Sequence, residues 1–285
     1  MAMKLKFLGT GAAEGIPGMY CHCPICQEIR KRGAAEYHTR SQLLIDDELS
    51  IDFPPDAYYR SLALDVDLEK IQTLLVTHSH MDHFYAHDFI LRGYKYTTTL
   101  NNVLHIYGNE EVKKVFDECT RREMKPQVAP FVQVHVIQPF QPFQIQGGYT
   151  VTALSAQHSQ TENAFVYLIE KGERTYLHLT DTGRLPENTL DYLQAYLTQK
   201  NKFVDFVTFD CTFLFHTAGA VARHMGLQDN RAMQLEFEKR KIANEYTRYA
   251  ITHFSHNGNP VKETLQRAEQ EYGYRAAYDG MVIEI

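Results

Sequence analysis

Residues 74 to 84 read LLVTHSHMDHF, and no other stretch limits so strongly what the chain can become. An apolar run of the kind that forms a buried strand ends directly in His78, His80, Asp82 and His83. Side chains that polar belong to the loop at the strand's end, where sheet proteins place their sites. In extended backbone His78 and His80 point the same way, whereas Asp82 and His83 turn out of that line and can reach a second point. The spacing suits two metal ions close together rather than one.

The rest of the chain alternates strand-like and helix-like segments. MKLKFLGT (3–10) alternates apolar and polar residues, LLIDDELSIDF (43–53) reads as a hairpin turning near Asp47 and Glu48, and IQTLLVT (71–77) is the buried-type strand. A helix is expected over about 84–95, a strand at 103–107, and a helix at 109–120 with Asn109 as its N-cap. Strands follow at 131–137, 149–157, 163–170 and 174–181, the last two joined through Lys171, Gly172 and Glu173. The remainder reads as helix 191–199, strand 203–210, helix 228–243, strand 249–254, helix 261–272 and strand 281–285. Such an order predicts an α/β protein with two packed mixed sheets covered by helices.

No linker, low-complexity segment or short repeat interrupts the 285 residues, so a single domain over 1–285 is expected. The formal net charge of −6 argues against nucleic acid as the main partner, because phosphate-backbone binding rests on clustered cations. The short basic runs IRKR (29–32) and EKRK (238–241) are flanked by acids and read as solvated helix faces. No apolar stretch approaches the roughly 18 residues that a membrane span needs. The start lacks the apolar core and cleavage site of a secretory leader. Five cysteines, three of them clustered, suit a reducing compartment and metal binding better than disulfides. A cytoplasmic protein is expected, and a homodimer is entertained as its assembly.

Further motifs extend the first one. MKLKFLGTGAA opens the chain, THSHMDH carries the H-x-H-x-D-H pattern, and AQHS (156–159), LTDTG (179–183) and ITHFSH (251–256) follow in order, each at an expected strand end. In this set and order the chain resembles the metallo-β-lactamase superfamily over nearly its whole length. The resemblance implies a four-layer αββα sandwich, two mixed β-sheets flanked by helices, with a dinuclear site at one edge. It implies that His78, His80 and His158 hold one metal, that Asp82, His83 and His253 hold the other, and that Asp181 bridges both. Five imidazoles and two carboxylates suit Zn²⁺, Mn²⁺ or Fe²⁺.

Residues 21–26 read CHCPIC, which places Cys21, Cys23 and Cys26 within a loop at about 18–33. A structural zinc needs four ligands, so this cluster is one short. The C-x-C-x₂-C element is similar to that of two subgroups of the superfamily. One is the phosphonate-operon phosphodiesterase associated with carbon–phosphorus lyase, which opens a cyclic phosphate of ribose. The other is the B-type protein of pyrroloquinoline quinone biosynthesis, which is not a phosphodiesterase. In the first subgroup a histidine three residues beyond the last active-site histidine completes the zinc site. Here that position is His256, giving one structural zinc on Cys21, Cys23, Cys26 and His256.

HMG at 224–226 resembles the histidine with which phosphodiesterase members steady the phosphoryl oxygens or protonate the leaving oxygen. His224 and Asp82 are thus the expected catalytic residues, with His216, in LFHTAG, as the rival histidine. Where such phosphodiesterases carry Gly-Leu, this chain has Ala86 and His87, a second imidazole that either adjoins the site or faces solvent. Residues 84–100 are rich in Tyr, Arg and Lys and read either as a pocket wall for a phosphate and a ring or as a helix surface. Arg40 and Ser41 are expected to hold a strand near the cysteine loop. His105, His135 and His178 are expected to be structural or on an outer face, Cys119 and Cys211 in the core, and Asp210 behind a metal ligand.

The function expected is metal-dependent hydrolysis of a small cyclic or diester phosphate, a ribose cyclic phosphate being one case, with a small molecule as the partner. Two alternatives share the core. One is the redox or oxygenase-type function of the quinone-cofactor branch, against which the complete His/Asp set and HMG count. The other is processing of transfer-RNA 3′ ends, against which the acidic balance and the lack of a basic arm count.

Overall fold

In the computed structural model, which describes residues 2–285, fourteen strands form two seven-stranded sheets. The strands are β1 (Lys4–Gly9), β2 (Gln42–Ile45), β3 (Leu49–Ile51), β4 (Thr73–Leu75), β5 (Leu104–Gly108), β6 (Val132–Val136) and β7 (Phe143–Ile145), then β8 (Tyr149–Ser155), β9 (Phe165–Lys171), β10 (Arg174–Leu179), β11 (Phe206–Asp210), β12 (Arg248–Thr252), β13 (Arg275–Ala276) and β14 (Val282–Glu284). The helices are α1 (Pro24–Arg32), α2 (Ala57–Ala63), α3 (Glu110–Thr120), α4 (Glu187–Lys200), α5 (Leu227–Lys239) and α6 (Lys262–Tyr272). One sheet runs β14-β1-β2-β3-β4-β5-β6 and the other β13-β12-β11-β10-β9-β8-β7. Both are mixed: β3 to β6 and β10 to β13 pair in parallel, and the hairpins β2–β3, β7–β8 and β9–β10 are antiparallel.

Alternation along the strands sorts the apolar residues into three layers. Leu43, Ile45 and Ile51 of the first sheet meet Val151, Tyr167, Ile169 and Tyr176 of the second between the sheets. Leu44, Leu74 and Ile106 point the other way, onto Val112 and Phe116 of α3. Leu168, Leu177, Val207 and Phe209 leave the second sheet on its outer side and pack on α4, α5 and α6 through Leu193, Leu197, Phe237 and Ala268. Strands covered on both faces explain the near-continuous apolar runs of the sequence. Helix, sheet, sheet, helix is the expected αββα sandwich.

Several local expectations change. The helix expected at 84–95 is only a six-residue 3-10 segment, Ala86–Leu91. Tyr85, before it, supplies no side-chain cap, and Gly93 stops it with φ of 113°. Helix α1 was not expected; Cys23 caps it by accepting from the Cys26 N–H, and Pro24 opens its first turn. The short α2 and the edge strands β7 and β13 were also not expected. The run IRKR is not simply solvated, because Arg30 donates to the Cys21 and Gly18 carbonyls at 2.6 and 2.8 Å. Among the described residues no helix is long and apolar enough to cross a membrane.

The architecture brings the C-terminal ends of β8, β10, β11 and β12 to one edge of the second sheet, with the start of β9 between β8 and β10. The end of β4 reaches the same edge from the other sheet, where the Phe165 N–H donates to the Thr77 carbonyl at 2.7 Å. Loops from both sheets therefore meet on one rim. That rim depends on the packed layers beneath it. Leu193→Ala, at a fully buried position of α4, should cost about 2–5 kcal/mol of stability, read as a lower urea midpoint with an unchanged slope.

Candidate metal centre

Four loops deliver the polar residues of this rim. The loop after β4 carries His78, His80, Asp82 and His83, the loop after β8 carries His158, Asp181 follows β10, and His253 follows β12. Ligand atoms of His78, His80, His158 and Asp181 lie within 4.8 Å of one another, and so do those of Asp82, His83, Asp181 and His253. Asp181 belongs to both groups and stands between them. Its Oδ2 is 3.3 Å from His78 Nε2, 3.1 Å from His83 Nε2 and 3.8 Å from His253 Nε2, while its Oδ1 is 3.0 Å from His158 Nδ1. His78, His83, Asp181 and His253 are almost wholly buried, whereas His80 is exposed.

The outer nitrogens of three rings are already committed. His83 Nδ1 donates to Asp52 Oδ2 at 2.6 Å. The Thr77 hydroxyl lies 3.0 Å from both Asp52 oxygens and donates there, so it accepts from His78 Nδ1, also at 3.0 Å. Thr212 repeats the arrangement: its hydroxyl donates to Asp210 Oδ1 at 3.0 Å and faces His253 Nδ1 at 2.9 Å. Each of these rings therefore presents Nε2 to the centre, and its tautomer is fixed from behind. Asp210 thus stands where it was expected. Asp52, Thr77 and Thr212 were missed, since an acid at the end of a hairpin strand carries no local signal. Asp52, Asp181 and His253 also adopt left-handed backbone, with φ of 63°, 55° and 62°. Such conformations cost about 1–3 kcal/mol each and gather at functional sites.

The electrostatics agree with a cation at the centre. His83 is held well above the usual imidazole range: burial opposes its charge, and Asp82 and Asp52 overcome that opposition. Asp181 lies well below the carboxylate range, because the surrounding histidines, His253 first, outweigh its burial. His83 Nε2, His253 Nε2 and Asp181 Oδ1 are buried yet complete no hydrogen bond. A buried polar atom without a partner costs about 1–3 kcal/mol, and a divalent ion among these three would give each a bond, displacing the proton of His83. The residues present fit such an ion.

His224, just before α5, adjoins the centre. Its Nδ1 lies 3.0 Å from Asp181 Oδ1 and 3.2 Å from Asp210 Oδ2. Burial works against its charge, but Asp210 and then Asp181 raise it to about 10. His216, the rival, is exposed, and so is His87, whose ring is tilted against Tyr85 with centroids 5.1 Å apart. The segment 84–100 lines a cavity of about 760 Å³ with Phe53, Tyr58, Tyr85, Phe89, Arg92 and Tyr96, and none of the clustered histidines or aspartates is in its wall. His178 is buried against the Tyr176 hydroxyl, His105 and His135 contact each other at 2.9 Å, Cys211 is buried and Cys119 half-buried. Arg40 donates to the Ala13 carbonyl and pairs with Asp56, which holds its strand beside the cysteine loop; Ser41 is buried.

The second cluster lies three residues beyond His253. Nδ1 of His256 is 3.3 Å from Cys21 Sγ, 3.4 Å from Cys23 Sγ and 3.3 Å from Cys26 Sγ. A tetrahedral zinc with ordinary bond lengths has sulfur–nitrogen edges of about 3.5 Å, so the four groups fit one ion. The Cys23 thiol is drawn down to about 6, its burial being outweighed by the Cys26 N–H and His256, while burial pushes Cys26 up to about 11. Glu14 steadies the loop by accepting from Ser255 Oγ at 2.6 Å and the His256 N–H at 3.3 Å. Cys23→Ser should lower the zinc content by one ion per chain and reduce stability, with the other candidate ligands still in place. Elemental analysis and thermal unfolding check this, and an unchanged zinc count would refute it.

Comparisons with known proteins bear on the family and the fold. The family model described as "Beta-lactamase superfamily domain" covers residues 50–275. An octanoyltransferase of Porphyromonas gingivalis is 27% identical over 166 residues, which is 55% of this chain and 31% of that protein, so the match spans about a third of that relative's length. A solved diphosphatase from the PhnP family superposes with a TM-score of 0.72 at 21% identity, over 100% of this chain and 98% of that one. Zinc-bound PqqB from Methylobacterium extorquens gives 0.73 at 19%, over 99% and 100%. The short form of human tRNase Z gives 0.66 at 18%, over 98% of each chain. At these identities the solved structures share the fold. Since the family model covers most of the chain, the protein belongs to the metallo-β-lactamase superfamily.

Proposed function

We propose that the chain is a dinuclear metal-dependent phosphodiesterase acting on a small cyclic or diester phosphate. His78, His80, His158 and Asp181 would hold one ion, and Asp82, His83, His253 and Asp181 the other. When bound, the ions lower the pKa of water and neutralise charge gathering on the phosphate oxygens. The observation that carries the reading is His224. It stands outside the two groups assigned to the ions, although its ring nitrogen also lies within 4.8 Å of ligand atoms of Asp181, Asp210 and His253, and its Nδ1 is turned onto Asp181 and Asp210. The donor left to it is Nε2–H, on a side chain that is 25% exposed. Hydrolysis of a diester needs a proton on the departing oxygen as the P–O bond breaks, and a cationic imidazole at the rim of the site supplies one. Asp210 and Asp181 keep that ring oriented, with Nε2–H left for the departing oxygen. The exposed His80 marks the side open to substrate.

The likeness to a diphosphatase of the PhnP family supports phosphorus chemistry, and His256, which completes the cysteine cluster, supports the same branch. The test is an assay of the protein loaded with Mn²⁺ or Zn²⁺ against a panel of cyclic nucleotides, ribose cyclic phosphates and an activated aryl phosphodiester. His224→Ala should lower kcat by about 10²- to 10⁴-fold while leaving the metal content unchanged. No hydrolysis of any panel member by protein carrying both ions would sink the proposal.

A further inference from the structure

Most buried rings at the centre have a partner behind them that is not itself a candidate ligand: Asp52 behind His83, Thr77 behind His78, and Thr212 with Asp210 behind His253. The exposed His80 has none. Its ring contacts only His78 and His158, its Nδ1 lying 2.8 Å from His78 Nε2 and 3.4 Å from His158 Nε2. Its backbone carbonyl is held by the His83 and Phe84 N–H groups. What fixes the chain on its other side is Ser79, between His78 and His80. The Ser79 N–H lies 3.1 and 3.3 Å from the two oxygens of Glu162, and the Ser79 hydroxyl donates to Glu162 Oε1 at 2.7 Å.

Glu162 is well placed for this. It lies four residues beyond His158, in the loop between β8 and β9. Its Oε2 accepts from Asn109 Nδ2 at 2.7 Å, and that same amide donates to the Asn163 carbonyl at 3.0 Å. Asn109 is in turn the N-cap of α3, accepting from the Val112 N–H at 2.9 Å. One carboxylate thus ties the loop bearing His78 and His80 to the loop bearing His158, and anchors both to a helix end. The three histidines it serves, His78, His80 and His158, form one of the two groups that share Asp181; His83 and His253, grouped with Asp82, form the other.

From this geometry we infer that Glu162 is a positioning residue for one ion only, setting the spacing of His78, His80 and His158 through Ser79. The inference rests on the two-ion reading above. Charge-assisted bonds from both a backbone N–H and a hydroxyl restrict a loop more than either alone, and removal of such an outer partner commonly lowers metal affinity by about 10- to 100-fold.

The experiment titrates metal-free protein with Mn²⁺ or Zn²⁺ against a competing chelator and follows thermal unfolding of the metal-free form. Glu162→Ala should weaken one of two ions by about 10- to 100-fold and leave the second unchanged. Glu162→Gln, whose amide oxygen still accepts from Ser79, should recover part of the loss. Ser79→Ala, which keeps the N–H and loses the hydroxyl, should shift the same ion by less, and it serves if Glu162→Ala does not fold. Equal weakening of both ions, or a lower unfolding temperature with both affinities unchanged, would overturn the assignment in favour of a general structural role. Wild-type protein that binds no pair of ions at this rim would instead remove the two-ion reading, and this inference with it.

Discussion

A buried carboxylate, Asp181, lies within 3.0–3.8 Å of ring nitrogens from His78, His83, His158, His224 and His253. Five imidazoles cannot share that space as five cations, nor can a carboxylate be left there alone, because charge without a partner is expensive in a low-dielectric interior. The acid draws the rings together, and the rings keep the acid ionised. Around that balance the two sheets must meet at one rim, since the residues come from strands of both. The apolar layer between the sheets fixes the angle at which they meet.

Behind the centre lies a shell of neutral hydroxyls and buried acids. Thr77 and Thr212 play matching parts on opposite sheets, each passing a hydroxyl proton to an aspartate and accepting from a ring. The left-handed backbone of Asp52, Asp181 and His253 turns each side chain out of its strand's line. A strained backbone persists only where its surroundings over-determine it. Here the hydrogen bonds at the rim and the packed strands below do so together.

How far the sequence disclosed this depends on distance along the chain. His78 to His83 are legible because the strand and these polar residues are contiguous. His158, Asp181 and His253 come from separate strands, and only their order along the chain, matched to a family pattern, linked them. Asp52 and Glu162 were not legible, since their role is set by what they face across the fold and each reads locally as an ordinary loop acid. The segment after Phe84 misled for a different reason. Its apolar spacing looked helical, but Phe89 is drawn against Phe53 and Phe84, with centroids 5.0 and 5.9 Å away, and the backbone stays in a tight turn. Helix α1 was hidden because Cys23 and Pro24, its cap and first-turn residue, sit inside a stretch read for metal binding.

Cys21 and His256 touch although 235 positions separate them. A tie between them therefore closes a chain loop that contains every strand end bearing a residue of the centre. By the loop-entropy relation for cross-links, a closure of that length removes about 5 kcal/mol of freedom from the unfolded chain. That contribution adds no contact to the folded core; it acts by thinning out the alternatives. A disulfide does the same, but only where thiols are oxidised. An ion held by three thiols and an imidazole would be a clasp that opens and closes without oxidant, so the grip on the two distant ends would follow metal supply.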